Sequence, residues 1–474
     1  MTAKLMRVRF APSPTGIPHL GNIRSALFNY LIAKHSGGSF ILRFEDTDRE
    51  RYVPEAAASI LGSLDWLGIN PDEGIMPDGS QKGKFGPYIQ SERLDIYRLH
   101  ADELMAKKAL YPCWCTPERL DGLRQDAQKA GVAFKYDRYC LEHPQSLDQP
   151  HVLRFFIPAD PAVVGWEDAV KGHVEFHTTD LDDFVAVKSD EFPTYHFAVV
   201  VDDHLMKITH VLRGDEWIPS TPKHLLLFQA FGWTPPEFVH LPQVLGPDKA
   251  KLSKRHGAKP ALDYRDEGYL PEAVVNFLAT LGWNDGTTQE IFSRDELIKA
   301  FTLERIQKSP AVFDSERLEW IDGHYIRQMV PVALLGRCEG FWPGTAMHYD
   351  SDYRLGVLKL VQERLKYLGE LAELTEFFFS DPVIDLDLIK GFDNDGARKH
   401  LEALSKQLKD CPWTHDDIEA VLRGYVEKHG LKTGQLFGLV RIAITGRTAA
   451  PGLFETMTVL GKDSVLRRLQ NSAR

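Results

Sequence analysis

Residues 12–22, Pro-Ser-Pro-Thr-Gly-Ile-Pro-His-Leu-Gly-Asn, form a turn rich in glycine and proline between an apolar run and a helical repeat. Val8 and Phe10 lie in the run before the turn, and apolar residues recur at helical spacing after Asn22. A strand, a tight turn and a helix in this order bring His19 to the N-terminus of the helix, where free backbone N–H groups favour an anion. The segment therefore predicts an α/β unit with a phosphate site at its turn.

The rest of the first third alternates short apolar runs with segments of helical period, which is typical of a parallel sheet flanked by helices. Glycines at 37 and 38 are expected to end the first helix, and Pro54 is well placed to begin the next. Residues 70–87 are polar and rich in glycine and proline, so we expect a loop there. Four apolar runs are predicted to be strands: 7–10, 40–44, 197–201 and 208–212.

Length and composition indicate an ordinary globular protein of several domains. The chain has 474 residues, of which 43% are hydrophobic and 26% are charged. We expect a cytoplasmic protein without a membrane partner, because no apolar stretch reaches bilayer length and the N-terminus lacks the pattern of a signal peptide. The net charge of −11 argues against indiscriminate binding of nucleic acid, yet a local basic face would still allow it.

A second motif, Lys-Leu-Ser-Lys-Arg at 251–255, follows a Gly-Pro-Asp turn at 246–248. Two lysines around Ser253 are able to close over a polyphosphate and neutralise charge as it develops there. Each motif also has a simpler interpretation: a strand-turn-helix corner with a surface histidine for the first, and a solvated basic turn for the second.

In this order and separation, the two motifs resemble the ATP-binding motifs of class I aminoacyl-tRNA synthetases. The Pro-Ser-Pro-Thr-Gly form of the first motif, Val-Phe-Asp at 312–314 and Pro-Gly-Leu-Phe-Glu at 451–455 resemble the bacterial glutamyl-tRNA synthetase (glutamate–tRNA ligase) family. The first motif departs from the usual His-Ile-Gly-His pattern, since its last position is Asn22.

The resemblance implies an α/β Rossmann-type catalytic domain with a parallel sheet and an insertion, followed by an all-α C-terminal half. The long helical pattern beyond residue 260 agrees with this, because glutaminyl-type relatives carry β-barrels there. The domains we expect are a first catalytic half at 1–110, a connective, acceptor-binding insertion at 111–187, a second catalytic half at 188–258, a helical stem-contact domain at 259–328 and an all-helical anticodon-binding domain at 329–474.

The implied activity is attachment of L-glutamate to the 3′ end of tRNA(Glu) in two steps through glutamyl-adenylate, with ATP and Mg²⁺. The family also implies that exchange of ATP with pyrophosphate requires tRNA, and we expect a monomer. Two alternatives are a non-discriminating form that also charges tRNA(Gln) and a non-catalytic tRNA-binding paralogue. A paralogue of that kind is expected to have lost His19 or Lys254, and both are present.

An acidic substrate calls for a guanidinium group for its carboxylate, an acid for its ammonium group and hydroxyls for orientation, and candidates for each follow predicted strands. Arg9 and Arg213 have an alternative role as ion-pair partners of nearby acids, namely Asp46, Asp48, Asp215 and Glu216. The resemblance implies these site residues: for catalysis His19, Lys251 and Lys254; for ATP Pro12, Ser13, His19, Gly21, Asn22, Ser253 and Lys254; for glutamate Arg9, Ser13, Glu45, Tyr195 and Arg213; for the third anticodon base Arg364.

Cys113, Cys115 and Cys140 fall close together in a chain with only five cysteines, which suits a metal site better than a disulfide framework. Three thiolates and one further ligand would complete a tetrahedral structural Zn²⁺ site. The fourth ligand stays open among His143, Glu142 and Tyr136. A buried cluster of thiols without metal is the alternative.

Overall fold

The computed structural model describes residues 5–250, 252, 259–385 and 388–473. They form two compact units, one of Met1–Arg265 with Val274–Ser315 and one of Asp266–Ala273 with Glu316–Arg474. None of the helices in these ranges is long and apolar enough to cross a membrane.

All strands found in the described ranges lie in the first unit. They are β1 (Arg7–Phe10), β2 (Ser39–Leu42), β3 (Glu73–Ile75), β4 (Gln81–Lys82), β5 (Leu110–Cys113), β6 (Val152–Phe155), β7 (Val163–Asp168), β8 (Gly172–His177), β9 (Val185–Val187), β10 (His210–Gly214), β11 (Glu237–Leu241), β12 (Val244–Leu245) and β13 (Ala311–Val312).

Helices occur in both units. Those before residue 301 are α1 (Leu20–Ser36), α2 (Pro54–Trp66), α3 (Leu94–Ala106), α4 (Pro117–Ala130), α5 (Tyr139–Glu142), α6 (Tyr195–Leu205), α7 (Thr221–Phe231), α8 (Ala261–Asp266), α9 (Pro271–Thr280) and α10 (Arg294–Ala300). The later ones are α11 (Ser315–Gln328), α12 (Pro331–Arg337), α13 (Ser351–Val361), α14 (Leu371–Phe379), α15 (Asn394–Leu408), α16 (His415–His429), α17 (Thr433–Thr445), α18 (Leu453–Leu460) and α19 (Lys462–Ser472).

Two groups of parallel strands form the centre of the first unit. β1 pairs with β2 and β2 with β3, while β10 pairs with β11. The two sheets adjoin at β1 and β10, because the N–H of Thr209 donates to the carbonyl of Arg7 at 2.8 Å. The strands lie in the order β3-β2-β1-β10-β11, so the chain order runs in opposite directions on the two sides of β1. Open α/β sheets bind ligands at such a switch point, at the carboxyl ends of the strands.

The chain between these two halves adds antiparallel structure. β5, β6 and β9 form a separate three-stranded sheet. β7 and β8 form a hairpin that joins the sheet of β10 and β11, through a parallel pairing of Asp168 with Phe238. The predicted parallel catalytic fold with an insertion and a helical C-terminal half is confirmed, and part of the inserted chain extends the catalytic sheet.

Helix α1 connects β1 to β2 and is buried along most of its length. It ends at Gly37, whose φ of 68° lies in the left-handed region that glycine adopts without strain. The predicted stop of this helix is therefore confirmed, and so is the start of α2 at Pro54.

The predicted strand at 197–201 is wrong, because these residues lie in α6. All five are buried, so the run has no polar positions to reveal a period, and a buried helix and a buried strand then look alike. The predicted loop at 70–87 contains the β3–β4 hairpin. The strands of this hairpin are short and the segment is rich in glycine, so the sequence pattern did not indicate them.

The second unit is built from amphipathic helices. In α15, Leu401, Leu404 and Leu408 are buried at helical spacing, and this helix packs against α19. α16 begins after Thr414, whose side chain caps its first turn, and ends at Gly430 in the left-handed conformation. Threonine and glycine are residues preferred at these two kinds of helix end.

Candidate active site

A cavity of about 850 Å³ lies at the carboxyl ends of β1 and β10. The structure brings to it all five residues predicted for glutamate, of which Ser13 is also predicted for ATP, and two further residues predicted for ATP. They are Arg9, Ser13, Glu45, Tyr195, Arg213, Pro12 and Asn22. His19 and Gly21 stand at the start of α1 and are not part of its lining.

Arg9 is buried and forms an ion pair that the sequence reasoning missed. Its Nε and Nη2 donate to the carboxylate of Asp203 at 3.1 and 3.2 Å. Arg43 donates to the same carboxylate at 3.0 Å and to Glu45 Oε1 at 2.9 Å. Asp203 follows the buried apolar run of α6, and a pair of acids after such a run is a usable signal for a buried ion pair.

Burial and the charges of this cluster balance differently at its two acids, so their pKa values are displaced in opposite directions. Burial raises the pKa of Asp203, but the guanidinium groups of Arg9 and Arg43 outweigh it and lower that pKa. For Glu45 burial is larger than the effect of Arg43, so the pKa of Glu45 is raised. Glu45 therefore lines the cavity as an acid only partly compensated by its neighbours.

The cluster continues on the other acid of α6. Asp202 accepts from Arg93 Nε at 2.7 Å, from Tyr97 at 2.8 Å and from Gln90 at 2.9 Å, and all four side chains are buried. This network ties α3 and the short turn before it to α6. Its members are spread over more than a hundred residues, which is why the sequence did not indicate it.

Arg213 lies at the end of β10 and has no carboxylate partner within the described residues. Its Nε faces His240 Nε2 at 3.2 Å, its Nη1 donates to Tyr195 at 3.2 Å, and its Nη2 donates to Thr221 at 2.7 Å. Burial lowers the pKa of Arg213. A guanidinium group nevertheless keeps its charge, so the cavity holds a buried positive charge.

Two histidines behind Arg213 are held neutral. His224 Nδ1 lies 3.3 Å from Arg213 Nη1, and its other ring nitrogen lies 3.1 Å from His196 Nδ1. Burial, with Lys223 and Arg213 nearby, lowers the pKa of His196 to about 3, and burial with Arg213 places the pKa of His224 well below its usual range. Near neutral pH both rings are therefore uncharged, and Arg213 carries the positive charge of this group.

Neither arginine pairs with the acids that the alternative interpretation named. Asp46 accepts from Ser91, Asp48 pairs with Arg51, and Asp215 accepts from Lys171 at 2.9 Å. Arg9 pairs with Asp203 instead. The alternative interpretation is right that Arg9 has an ion-pair partner, but that partner is none of the nearby acids it named.

His19 is the N-cap of α1. Its Nδ1 accepts from the N–H of Gly21 at 3.0 Å, and Asn22 Oδ1 accepts in return from the N–H of His19 at 3.2 Å. A Cβ on Gly21 would lie 2.9 Å from the imidazole ring, so the cap itself requires glycine there. The same cap explains why Asn22 fits where a second histidine is usual.

Lys251, Ser253 and Lys254 lie outside the described residues. The chain that leads to them is β12, which pairs with β13.

Comparison with known proteins decides the family. Residues 5–320 match the family described as tRNA synthetases class I (E and Q), catalytic domain, and residues 325–473 match the family described as anticodon binding domain. The chain belongs to the class I tRNA synthetases of the E and Q group.

Relatives within this group are similar along their whole length. A glutamate–tRNA ligase of Dehalococcoides mccartyi is 47% identical, over 98% of this chain and 96% of the relative, and one of Clostridioides difficile is 42% identical over 98% of each. A crystal structure of a glutamate tRNA ligase from Elizabethkingia meningosepticum in complex with its amino acid has a TM-score of 0.89 at 35% identity, covering 99% of both chains.

In this class I synthetase the three predicted cysteines form one cluster. The Sγ atoms of Cys113, Cys115 and Cys140 all lie within 4.8 Å of one another. The hydroxyl of Tyr136 lies 3.3 Å from the first two sulfurs and accepts from the N–H of Cys140 at 3.2 Å. The donor set of three thiols and one phenol oxygen is compatible with a tetrahedral metal.

The other two candidates for a fourth ligand point elsewhere. His143 stacks on Tyr139 with ring centroids 4.0 Å apart, and its Nδ1 lies 3.0 Å from the carbonyl of Tyr139. Glu142 is exposed. Tyr136 is therefore the candidate that the fold brings to the thiols.

Arg364 belongs to the helical part of this synthetase. It is exposed in a short turn after α13, and its Nη2 donates to the carbonyl of Ala450 at 2.9 Å.

Proposed function

We propose that this chain is a glutamate–tRNA ligase. It activates L-glutamate with ATP to glutamyl-adenylate and then transfers the glutamyl group to the 3′-terminal ribose of tRNA(Glu). The observation that carries the proposal is the buried, acid-free guanidinium of Arg213 in a cavity at the switch point of the sheet. The relatives named glutamate–tRNA ligase over nearly their whole length support it.

Arg213 binds the side-chain carboxylate of glutamate in this proposal. A desolvated cation with only neutral partners gains more from a carboxylate than an arginine that already has one. Tyr195, which accepts from Nη1, orients both groups. Glu45, which lines the same cavity, receives the ammonium group, and Arg9 and Ser13 are further lining residues.

ATP is bound by the two sequence motifs. His19 accepts from Gly21 through Nδ1, so its neutral ring carries the proton on Nε2 and donates from there to phosphate. Pro12, Ser13, Gly21 and Asn22 provide the turn around it. Lys251, Ser253 and Lys254 complete the ATP site, with the two lysines neutralising the charge of the departing pyrophosphate. Mg²⁺ supplies further charge neutralisation on the triphosphate.

No side chain needs to act as a nucleophile in either step. The carboxylate of glutamate attacks the α-phosphate and pyrophosphate leaves, and the ribose hydroxyl then attacks the acyl carbon and AMP leaves. Catalysis is therefore positioning and charge stabilisation by His19, Lys251 and Lys254.

The cysteine cluster binds one structural Zn²⁺ in this proposal, with Cys113, Cys115, Cys140 and Tyr136 as ligands. The ion would hold β5 and α5 together rather than activate water. Cys113→Ser should lose the metal, lower tRNA affinity and leave the KM for ATP unchanged. Cys338→Ser, at a buried cysteine far along the chain, is the matched control. Native protein with well under one zinc per chain, and a Cys113→Ser variant as stable as the parent, would contradict the site.

The domains at 1–110, 111–187, 188–258, 259–328 and 329–474 remain our proposal for the division of labour, with Arg364 as a reader of the third anticodon base. Its exposure supports that role.

Aminoacylation with purified tRNA(Glu) and tRNA(Gln) tests the function. We expect glutamate to be attached to tRNA(Glu), and pyrophosphate exchange to appear only when tRNA is present. Glutamine in place of glutamate is the control for the role of the side-chain carboxylate. Charging with glutamine at a comparable rate, or no charging at all by a folded protein, would overturn the proposal.

A further inference from the structure

Asp168 at the end of β7 is buried and carries an unusual set of donors. Its Oδ1 accepts three backbone N–H groups, from Lys171 at 3.0 Å, Val170 at 3.1 Å and His240 at 3.2 Å. Its Oδ2 accepts from His240 Nδ1 at 2.5 Å and from Trp166 Nε1 at 3.4 Å. Oδ1 thus accepts hydrogen bonds from the backbone, whereas Oδ2 accepts one from the imidazole of His240.

The carboxylate stays ionised. Burial raises the pKa of Asp168, but the hydrogen bonds from His240 and the backbone outweigh it and bring the pKa to about 2. An ionised carboxylate accepts only, so the proton of the neutral ring of His240 must reside on Nδ1.

That tautomer decides what His240 presents to Arg213. Its Nε2 carries a lone pair and lies 3.2 Å from Nε of Arg213, which donates to it. Thr221 Oγ1 lies 3.3 Å from the same Nε2. His240 therefore separates the acid from the cation: it fixes the guanidinium by a neutral acceptor and leaves the positive charge without a direct carboxylate partner.

We propose that Asp168 and His240 are positioning residues for glutamate, acting through Arg213. They hold Nε of the guanidinium against the back of the site so that its outer face is directed to the ligand. The inference rests on the proposed role of Arg213 and extends it to the β7–β8 hairpin, which belongs to the inserted chain.

Asp168→Asn isolates this effect, because the backbone fixes the orientation of the new amide. The three N–H groups at Oδ1 require the amide oxygen there, so the NH₂ group replaces Oδ2 and faces His240 Nδ1. The ring must then accept at Nδ1 and carry its proton on Nε2, directly against the Nε–H of Arg213. One atom is exchanged, and the hydrogen bond to Arg213 becomes a repulsion.

Steady-state kinetics of aminoacylation and histidine NMR test the proposal. We expect Asp168→Asn to raise the KM for glutamate about tenfold or more, as for loss of a hydrogen bond to a charged group, with the KM for ATP within about twofold. In ¹⁵N-histidine spectra the signal of His240, assigned by its absence in His240→Gln, should show the proton moving from Nδ1 to Nε2. A structural role alone would not move that proton.

Two further variants make the outcomes distinguishable. Trp166→Phe removes the other side-chain donor to Oδ2 without changing the acid, and it should keep the parental KM for glutamate and the parental tautomer. Arg213→Gln tests the underlying site. If Arg213→Gln leaves the KM for glutamate unchanged, the proposed glutamate pocket is wrong. If Arg213→Gln raises it while Asp168→Asn behaves like Trp166→Phe, or if the proton of His240 stays on Nδ1, the positioning role is wrong.

Discussion

Two buried arginines face the same cavity from opposite environments. Arg9 on β1 is paired in two hydrogen bonds with Asp203, which Arg43 also contacts. Arg213 on β10 is surrounded in the described structure by a tyrosine, a threonine and two neutral histidines. The two positions look alike, since each arginine is the last residue but one of a buried strand.

The difference separates a structural charge from a charge kept for a ligand. An arginine paired with a buried acid is compensated within the fold, and removing it leaves an uncompensated carboxylate. For an arginine with neutral partners, no ion pair within the fold offsets the cost of desolvation. A carboxylate ligand supplies the missing ion pair. Stability and substrate affinity should therefore respond in opposite ways at the two sites.

The largest expected effect is on stability at the paired arginine. Arg9→Gln should lower the free energy of unfolding by about 3 kcal/mol, at the low end for breaking a buried ion pair because Arg43 still contacts Asp203. Urea denaturation followed by circular dichroism measures it. The double variant Arg9→Gln, Asp203→Asn is the matched control, and it should recover part of the loss. An unchanged midpoint for Arg9→Gln would show that the pair is not what stabilises this wall.

Arg213→Gln should weaken glutamate binding without lowering the stability of the fold. We expect the KM for glutamate to rise by about 30-fold, equivalent to about 2 kcal/mol for a charge-assisted contact, and the free energy of unfolding to stay unchanged or increase. The KM for ATP should stay near the parental value. Loss of ATP binding with glutamate binding intact would place the amino-acid pocket elsewhere, and a destabilised protein would remove the distinction between the two arginines.

Much of the fold could be predicted because local signals agreed with it. Glycine at the end of α1, proline at the start of α2 and the apolar strands β1 and β10 all matched the structure. The strand predicted at 197–201 failed because complete burial erased its period. The β3–β4 hairpin was missed because its strands are two or three residues long.

The residues of the candidate site could likewise be predicted only in part. Residues at strand ends could be predicted to meet, because topology alone brings the carboxyl ends of parallel strands together. Their partners could not. The sequence separates each arginine of the cavity from the groups that fix it: the hydrogen bond from Arg9 to Asp203 spans 194 positions, and the one between His240 and Asp168 behind Arg213 spans 72.

A buried acid without a cationic partner extends the comparison, because a carboxylate becomes neutral by taking up a proton, whereas a guanidinium group stays charged. Asp322 in the second unit accepts from the N–H of Leu270 at 2.7 Å, and among the described residues its Oδ2 has no partner. Burial raises its pKa to about 8. The folded protein then holds a proton that the unfolded chain releases near pH 4, so its stability should fall as pH rises from about 4 to about 8.

Asp322→Asn should remove that dependence. Between pH 6 and pH 7 the parent is expected to lose about 1 kcal/mol of unfolding free energy that the variant keeps. Urea denaturation at several pH values measures the two slopes, with Glu319→Gln as a control for an acid on the same helix that pairs with Lys366. Equal slopes for parent and Asp322→Asn would mean that the carboxyl is ionised in the folded state.

The smallest expected effect tests how the unpaired arginine is oriented. Tyr195→Phe removes the hydroxyl that accepts from Arg213 Nη1 at 3.2 Å and keeps the ring, which contacts Trp217 at a centroid distance of 4.5 Å. We expect the KM for glutamate to rise by about fivefold, the worth of roughly 1 kcal/mol for one hydrogen bond, because the remaining partners of Arg213 still hold it. Since the charge itself is untouched, the effect must be smaller than that of Arg213→Gln. An effect as large as that of Arg213→Gln would mean that the hydroxyl contacts the substrate directly, and that the neutral surroundings of Arg213 are part of the binding surface rather than its support.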